Sequence, residues 1–294
     1  NTDNLMVVDR IGHFVGVLPL ARLVSHDQET SVVELMDADV DVIQGDMKAR
    51  DVATLFQTHD LTSAPVVDND GMLLGRIVID DIVDVIQENS EQALMNMAGL
   101  DEEEDLFAPV LPSAKRRAVW LGINLLTACL AGAVVGLFGA TLKEFVVLAI
   151  FLPIIASQGG NAGMQTVTVI VRDMALGELS PGDGRKALFK ELFLGLLIGT
   201  IIGLIVGLVS WLIAPKFGIT VDLGATLGLV VGAAMVLNLL AAALFGVLIP
   251  FALKFFRLDP ALGSSILITT VTDVAGFFFL LALAKWILTG AAQA

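Results

Sequence analysis

One carboxylate, Asp273, stands in the middle of an apolar run near the end of the chain. The run, LGSSILITTVTDVAGFFFLLALAKW, is long enough to cross a bilayer as a helix. A charged side chain at that depth costs about 3 kcal/mol on insertion scales, so Asp273 is expected to face a water-filled path or a cation. The alternative is a protonated Asp273 that is hydrogen-bonded to Thr269 or Thr270, one turn back, and serves helix packing.

A second apolar run is interrupted by the polar, glycine-rich stretch SQGGNAGMQ, residues 157–165. Gly159, Gly160 and Gly163 allow the backbone to leave helical geometry, and Pro153 removes one helical hydrogen bond. Such a loosened backbone is tolerated at membrane depth only where protein buries it or where it lines a water-filled cavity. The stretch therefore predicts a broken helix within the membrane.

The broken helix would supply ligands for a hard cation. Freed carbonyl groups and the amide oxygen of Asn161 are oxygen ligands of the kind that Mg²⁺ and Ca²⁺ prefer. Close packing of small residues between helices also explains the glycines, but it leaves Gln158, Asn161 and Gln165 without a role. One carboxylate per chain is little charge for a divalent ion, whereas two chains about a two-fold axis would bring a pair of Asp273 side chains together.

Composition divides the chain into a soluble front part and a membrane part. The 294 residues are 56% hydrophobic with a mean hydropathy of +0.83, which is too apolar for an ordinary soluble domain. Of the 31 acidic residues, 23 precede Pro109, so the net charge of −14 belongs almost entirely to the front part. Such a surface argues against nucleic acid as a partner and favours divalent cations.

Five apolar windows are long enough to span a bilayer. They are residues 118–140, 145–171, 188–214, 224–250 and 262–288. Nine basic residues flank these windows on the side of the front part and three flank them on the other side. By the positive-inside rule, the front part lies in the cytoplasm and the C-terminus lies outside.

The front part contains an internal repeat with a step of 59 residues. MVVDRIGHFVGVLPLARLV aligns with PVVDNDGMLLGRIVIDDIV, so that Asp9 matches Asp68 and Gly12 matches Gly71. Each copy predicts a strand, a tight turn, a second strand and an amphipathic helix, in the pattern of a CBS module. The first copy has no room for the opening strand and helix of such a module, so we expect it to lack roughly its first third.

Four acidic residues follow the second copy at helical spacing. Asp81, Asp84, Glu88 and Glu91 fall on one helical face, where like charges are destabilising unless water or bound cations screen them. The residue types alone leave both explanations open. CBS pairs often bind adenosine nucleotides through a Thr and an Asp in this region, and here Asp81 is present but Val78 replaces the Thr.

These features together resemble the MgtE family of bacterial magnesium channels. The second window carries P-x-x-x-x-x-G-G-N-A-G-x-Q, and the fifth carries DPALGSS-x-x-x-T-T-x-x-D-x-x-G. The resemblance implies a homodimeric multidomain membrane protein: an α+β cytosolic CBS pair with a truncated first module, followed by an all-α domain of five transmembrane helices. It predicts partial first and complete second CBS modules at 1–35 and 36–98, an acidic linker and connecting helix at 99–117, and the ion-conducting domain at 118–290. The family's helical domain ahead of the CBS pair is not expected here.

The resemblance also assigns roles to residues. The pore site for hydrated Mg²⁺ would comprise Asp273, Gly159, Gly160, Asn161 and Thr269. Cytosolic Mg²⁺ would be sensed by Asp81, Asp84, Glu88, Glu91 and Asp259, with residues 106–117 as the connecting plug helix. High cytosolic Mg²⁺ would bridge these acidic surfaces and keep the pore closed, and low Mg²⁺ would let them repel and open it.

The expected protein is thus a magnesium importer of the bacterial inner membrane rather than an enzyme. Mg²⁺ would be both the transported ion and the regulator, and Mn²⁺, Co²⁺ or Ca²⁺ would be further transported ions. ATP would be a ligand of the CBS pair, for which Asp81 of the nucleotide signature is present and the Thr is replaced by Val78. A secondary transporter coupled to ions would use the same Asp273. A CBS-regulated membrane enzyme is the other alternative, but the three histidines all precede the membrane part and no H-E-x-x-H motif occurs.

Overall fold

The computed structural model of the chain describes residues 4–27, 29–100, 107, 109–175, 179 and 182–288, apart from the side chains of 89 and 90. The chain divides into two compact units, Asn1–Glu91 and Gln92–Ala294. The boundary falls within a helix that begins in the first unit and ends in the second.

The first unit is α+β and contains two small sheets. Strands β1 and β2 form an antiparallel hairpin, while β4 pairs with β3 in parallel and with β5 antiparallel. The elements in chain order are β1 Asn4–Val8, β2 Phe14–Pro19, α1 Leu20–Ser25, α2 Val32–Leu35, β3 Ile43–Gln44, α3 Ala49–Thr58, β4 Ser63–Val67, β5 Leu73–Val78 and α4 Ile79–Met97. Phe56 of α3, Ile43 of β3 and Ile82 of α4 are buried together in the core of the second copy.

The two copies of the repeat have the same turn. Asp9 Oδ1 accepts hydrogen bonds from the backbone N–H groups of Ile11 and His13, at 2.9 and 2.8 Å. Asp68 Oδ1 accepts the corresponding bonds from Asp70 and Met72, at 3.0 and 2.8 Å. These are the bonds of an Asx turn. The repeat predicted from the sequence is confirmed.

The glycine of each turn has a positive φ, which is why glycine stands there. Gly12 has φ +97° and Gly71 has φ +83°. The two turns also pair with each other, because Phe14 N–H donates to the Gly71 carbonyl and Leu73 N–H donates to the Gly12 carbonyl, at 3.0 and 3.1 Å. The hairpins are therefore joined in a pseudo-symmetric pair.

The second unit is helical. After the last turn of α4 come α5 Val110–Leu137, α6 Gly139–Glu144, α7 Leu148–Ala175, α8 Gly184–Ile213, α9 Val221–Phe255 and α10 Ser264–Leu283. A 3₁₀ turn, Ala214–Phe217, extends α8, and a π-helical segment, Ala284–Leu288, extends α10.

Among the described residues, four helical segments are long and apolar enough to cross a membrane. They are Val110–Leu137, Gly184–Phe217, Val221–Phe255 and Ser264–Leu288. Helix α7 has 28 residues but does not qualify, since its polar stretch 157–165 lies in the middle of its apolar residues. The predicted span at residues 145–171 thus stays a prediction.

Glycines bring α8 and α9 unusually close together. Ideal Cβ atoms built on Gly203 and Gly207 would lie 2.7 Å from the carbonyl oxygens of Gly232 and Gly228. Because those atoms belong to the backbone of the facing helix, only glycine permits this separation of the axes. Helix α9 of this pair also packs against α7 and α10.

Candidate functional site

Asp273 lies in the middle of α10 and is partly exposed. Within the part of the chain that the structure describes, its carboxylate has neither a hydrogen bond nor an ion pair. Thr269 Oγ1 donates instead to the Ser265 carbonyl at 2.8 Å, and Thr270 Oγ1 donates to the Ile266 carbonyl at 2.6 Å. The threonine partners of the packing alternative are thus bonded to their own helix.

Helix α7 packs antiparallel against α10 at the depth of Asp273. An ideal Cβ on Gly159 would lie 3.1 Å from Thr272 Cβ, and one on Gly160 would lie 3.5 Å from Thr269 Cγ2. Farther along, the Cβ position of Gly163 is occupied by the side chain of Ile268. Both glycines assigned to the pore therefore lie beside the threonines that flank Asp273.

The prediction of a broken helix at 157–165 is wrong. Helix α7 continues without interruption from Leu148 to Ala175 and includes Pro153. Its carbonyl groups belong to the helical ladder, and the glycines serve close approach to α9 and α10 instead. Any ligands from this stretch would consequently be side chains, chiefly that of Asn161.

The polar side chains of α7 form one exposed stripe. Its members recur every three or four residues, which places them on a single face. They are Ser157, Gln158, Asn161, Gln165, Thr168 and Arg172, and all are exposed in the single chain. In a helix that crossed a membrane, such a polar face would require water or protein beside it.

Asn238 of α9 was not identified from the sequence. Its side chain is completely buried, and its Nδ2 donates to the Ile155 carbonyl of α7 at 2.9 Å. The same amide contacts the Cβ positions of Gly159 and Gly276, so it joins three helices beside Asp273. Its Oδ1 has no hydrogen-bond partner among the described residues.

Glu191 of α8 is a second carboxylate that sequence analysis missed. It is 8% exposed, and its Oε2 accepts a hydrogen bond from Thr166 of α7 at 2.9 Å. Its position at the flank of a predicted span, beside Lys190, gave no sign of burial. The one related feature of the sequence is that Thr166, the hydrogen-bond partner of Glu191, directly follows the polar stretch 157–165.

The acids of α4 remain exposed. Asp81, Asp84, Glu88 and Glu91 lie on one face of the helix, and Asp81 Oδ2 accepts a hydrogen bond from the Val78 N–H at 3.2 Å. A rise of about 1.5 Å per residue spreads the four carboxylates over about 15 Å. Among the described residues, no three His, Cys, Asp or Glu side chains converge closely enough to hold a metal ion.

Asp259 lies where the last turn of α4 meets the start of α10. Its Oδ1 accepts from Ala261 N–H at 2.8 Å, and its Oδ2 accepts from Asn96 Nδ2 at 3.3 Å. Ser265 Oγ donates to the Met97 carbonyl at 2.6 Å, and Gly263 N–H donates to the Asn96 carbonyl at 2.9 Å. The end of α4 is therefore hydrogen-bonded to the helix that carries Asp273.

The connecting helix expected at 106–117 is not a separate element. Residues from Val110 onward form the first turns of α5, which is also the first predicted span. Pro112 lies in the first turn, where its missing N–H removes no helical hydrogen bond. Residues 101–106 and 108 of the linker lie outside the described residues.

The chain combines two kinds of unit. A unit built from two paired hairpins is followed in the chain by apolar helices, one of which carries Asp273 beside the polar helix α7. Residues 152–283 match the MgtE family model, described as a divalent cation transporter, and residues 32–88 match the CBS domain model. The chain is therefore similar to the MgtE family over its helical unit and to CBS domains in its front part, as the motifs predicted.

Relatives resemble the chain over nearly its whole length. It is 33% identical to the magnesium transporter MgtE of Thermus thermophilus, over 97% of this chain and 62% of that protein. It is 28% identical to the magnesium transporter MgtE of Bacillus subtilis, over 92% of this chain and 58% of that protein. The chain thus spans about three fifths of the length of these relatives.

One solved structure with local similarity is the cytosolic domain of the Mg²⁺ channel MgtE in complex with ATP. It is 38% identical, covers 29% of this chain and 34% of that chain, and has a TM-score of 0.28.

Proposed function

We propose that the protein is a Mg²⁺-selective channel that imports magnesium as a homodimer. In the dimer, the two copies of Asp273 would face each other across a path lined by the polar stripe of α7. The observation that carries the proposal is the partly exposed Asp273 carboxylate, which has no partner among the described residues. A second carboxylate and a divalent cation would compensate it.

The expected coordination is through water. Mg²⁺ sheds its hydration shell reluctantly, and the carboxylate pair would hold the ion by hydrogen bonds to that shell. Asn161 on α7 and Thr269 on α10 would add polar contacts, whereas Gly159 and Gly160 would contribute by letting α7 approach α10. Manganese, cobalt and calcium ions would compete according to how readily they fit the same hydrated geometry.

Gating by cytosolic Mg²⁺ is the second part of the proposal. Mg²⁺ bound to Asp81, Asp84, Glu88 and Glu91 would neutralise the acidic face of α4. The hydrogen bonds of Asn96 and Met97 with the start of α10 offer a route from that helix to the pore. Asp259 would take part as a regulatory ligand at the same place.

The membrane arrangement follows from the same helices. Together with α7, the four apolar helices make five spans. The front part and the C-terminal ends of α7 and α9 would then lie in the cytoplasm of a bacterium, and the C-terminal end of α10 would lie outside. The exposed apolar surface of α5, α8 and α10 would contact lipid or the second subunit. ATP binding to the CBS pair is tested separately by titration, since Val78 replaces the expected threonine.

Mg²⁺ uptake into proteoliposomes tests the proposal. Asp273→Asn keeps the shape of the side chain and removes its charge, so flux should fall at least tenfold with unchanged thermal stability. Glu144→Gln, an exposed carboxylate of α6, is the matched control and should keep its flux. Full flux through Asp273→Asn would reject the pore assignment.

The same vesicles test gating and coupling. Raising Mg²⁺ on the CBS side should reduce flux through the parent chain. Flux should not respond to an imposed Na⁺ or H⁺ gradient at constant membrane potential. Uptake that requires either gradient would instead support a coupled secondary transporter.

A further inference from the structure

A second buried carboxylate lies in the helical unit, farther along α7 than Gly159 and Gly160. Glu191 is 8% exposed, and Thr166 donates to its Oε2 at 2.9 Å. Thr166 lies seven residues beyond Gly159 on α7, which corresponds to about 10 Å along the helix axis. Glu191 is therefore separate from the Asp273 site, and nothing in the proposed pore uses it.

Among the described residues, the charge of Glu191 has one weak ionic contact. Lys190 Nζ lies 3.8 Å from Glu191 Oε1, at the outer limit of an ion pair, and the lysine side chain is 67% exposed. A solvated lysine at this distance stabilises a carboxylate only weakly. Moving a carboxylate out of water costs far more free energy than such a contact contributes. Another positive charge is therefore expected near Glu191.

Two cavities meet at Glu191. One, of about 240 Å³, extends along α7 between α8 and α9 and is lined by Gln165 and Thr166. The other, of about 340 Å³, extends toward the ends of α7 and α8 and is lined by Asp173 and Lys186. Lys190 and Glu191 belong to the walls of both.

The first cavity is large enough for a hydrated ion and has three oxygen-bearing side chains within otherwise mostly apolar walls. Six waters occupy about 180 Å³ at their volume in the liquid, which the cavity can accommodate. The Glu191 carboxylate, the Thr166 hydroxyl and the Gln165 amide are hard oxygen groups of the kind that bind a hydrated divalent cation. Gln165 also belongs to the polar stripe of α7, so the cavity adjoins the face assigned to the ion path.

We propose that Glu191, Thr166 and Gln165 form a second binding site for a hydrated divalent cation in the helical unit. The site lies between the polar stripe and the cavity at the ends of α7 and α8, where an ion that has passed Asp273 would pause before release. This role in ion passage rests on the proposed transport function. Cation binding at Glu191 does not, and it can be measured without flux.

Binding is tested with Mn²⁺, which replaces Mg²⁺ at oxygen sites and is counted by electron paramagnetic resonance. The purified full chain in detergent is titrated, together with Glu191→Gln and the control Glu144→Gln. Glu191→Gln should bind one Mn²⁺ fewer per chain than the parent, and the control should bind the same number as the parent. Equal numbers for all three proteins would overturn the proposal.

Lys190→Gln keeps the test decisive should Glu191→Gln fold poorly. If Glu191 holds a cation, removal of the neighbouring ammonium should tighten Mn²⁺ binding at this site about three- to tenfold at low ionic strength. If Glu191 is instead a structural partner of Lys190, the affinity should stay the same and the thermal stability should fall. The second result would overturn the proposal.

Flux and the Mn²⁺ count together distinguish failure of this inference from failure of the proposed function. Loss of flux in Asp273→Asn together with loss of one Mn²⁺ in Glu191→Gln supports both. Normal flux in Asp273→Asn would refute the pore assignment. The second site at Glu191 would then be judged from the Mn²⁺ count alone. An unchanged Mn²⁺ count with normal flux in Glu191→Gln would refute only the second site.

Discussion

Two adjacent glycines of α7 should respond oppositely to the same substitution. A Cβ on Gly159 would overlap the Nδ2 of Asn238 and lie 3.0 Å from its Cγ. The Asn238 side chain has little freedom to move away, because it is completely buried and its amide donates a hydrogen bond to the Ile155 carbonyl. A Cβ on Gly160 would instead make an ordinary contact, 3.5 Å from Thr269 Cγ2.

The magnitudes follow from these contacts. Overpacking costs about 1–3 kcal/mol, and loss of an intramembrane hydrogen bond costs about 0.6 kcal/mol more. The higher helix propensity of alanine offsets about 1 kcal/mol of these costs. Gly159→Ala should therefore destabilise the protein by about 1–3 kcal/mol, whereas Gly160→Ala should stabilise it by up to about 1 kcal/mol.

Thermal unfolding of the purified protein in detergent, followed by tryptophan fluorescence, measures both effects. A change of 1 kcal/mol shifts the midpoint by about 2–4 °C in a protein of this size class. Gly159→Ala should lower the midpoint and Gly160→Ala should raise it or leave it unchanged. Shifts of the same sign and size would show that the packing of α7 against Asn238 is not as described.

Mg²⁺ flux through Gly160→Ala then decides what the glycine motif does. If α7 conducts as the continuous helix of the structure, Gly160→Ala should retain at least half of the parent flux. If conduction requires the backbone to open at Gly160, alanine should abolish flux while the protein stays folded. The second outcome would restore the interpretation that these glycines let the backbone leave helical geometry.

Four further substitutions test the contacts around the site and in the repeat. Asn238→Ala removes the bond to the Ile155 carbonyl, so Mg²⁺ flux should fall severalfold with a stability loss of about 0.6–1.7 kcal/mol, measured by uptake and thermal unfolding. Ser265→Ala removes the 2.6 Å bond to the Met97 carbonyl, so more Mg²⁺ should be needed on the CBS side to inhibit uptake by half. Asp68→Ala and Asp9→Ala each remove two turn hydrogen bonds, so each should lower the unfolding midpoint of the first unit, and Asp9→Ala also removes the contact of Oδ2 with His13 Nδ1.

The sequence predicts best the features that are local. The repeat was visible because an Asx turn needs Asp and Gly at fixed positions, so Asp9, Gly12 and their counterparts 59 residues later carry the pattern directly. Asp273 was visible because a charge within an apolar run is costly wherever the run packs. Neither inference requires knowledge of which helix lies beside which.

Features that depend on neighbouring helices were not predictable. The glycines of α7 are compatible with a broken helix and with close packing, and only the presence of Asn238, Thr272 and Ile268 beside them decides for packing. Asn238 is one polar residue in the apolar helix α9, and its hydrogen-bond partner lies 83 residues earlier in the chain. No spacing in the sequence connects them.

The separation of Asp273 and Glu191 along α7 determines how these two carboxylates would act together in the proposed ion path. Asp273 lies at the depth of Gly159, and Glu191 lies at the depth of Thr166, about 10 Å farther along the helix. A single strong site would bind Mg²⁺ and release it slowly, whereas two weaker hydrated sites at this distance permit transfer of the ion from one to the other. Strengthening either site should therefore slow conduction, so a variant that binds Mn²⁺ more tightly at Glu191, such as Lys190→Gln, should pass less Mg²⁺ at saturating concentrations than the parent chain.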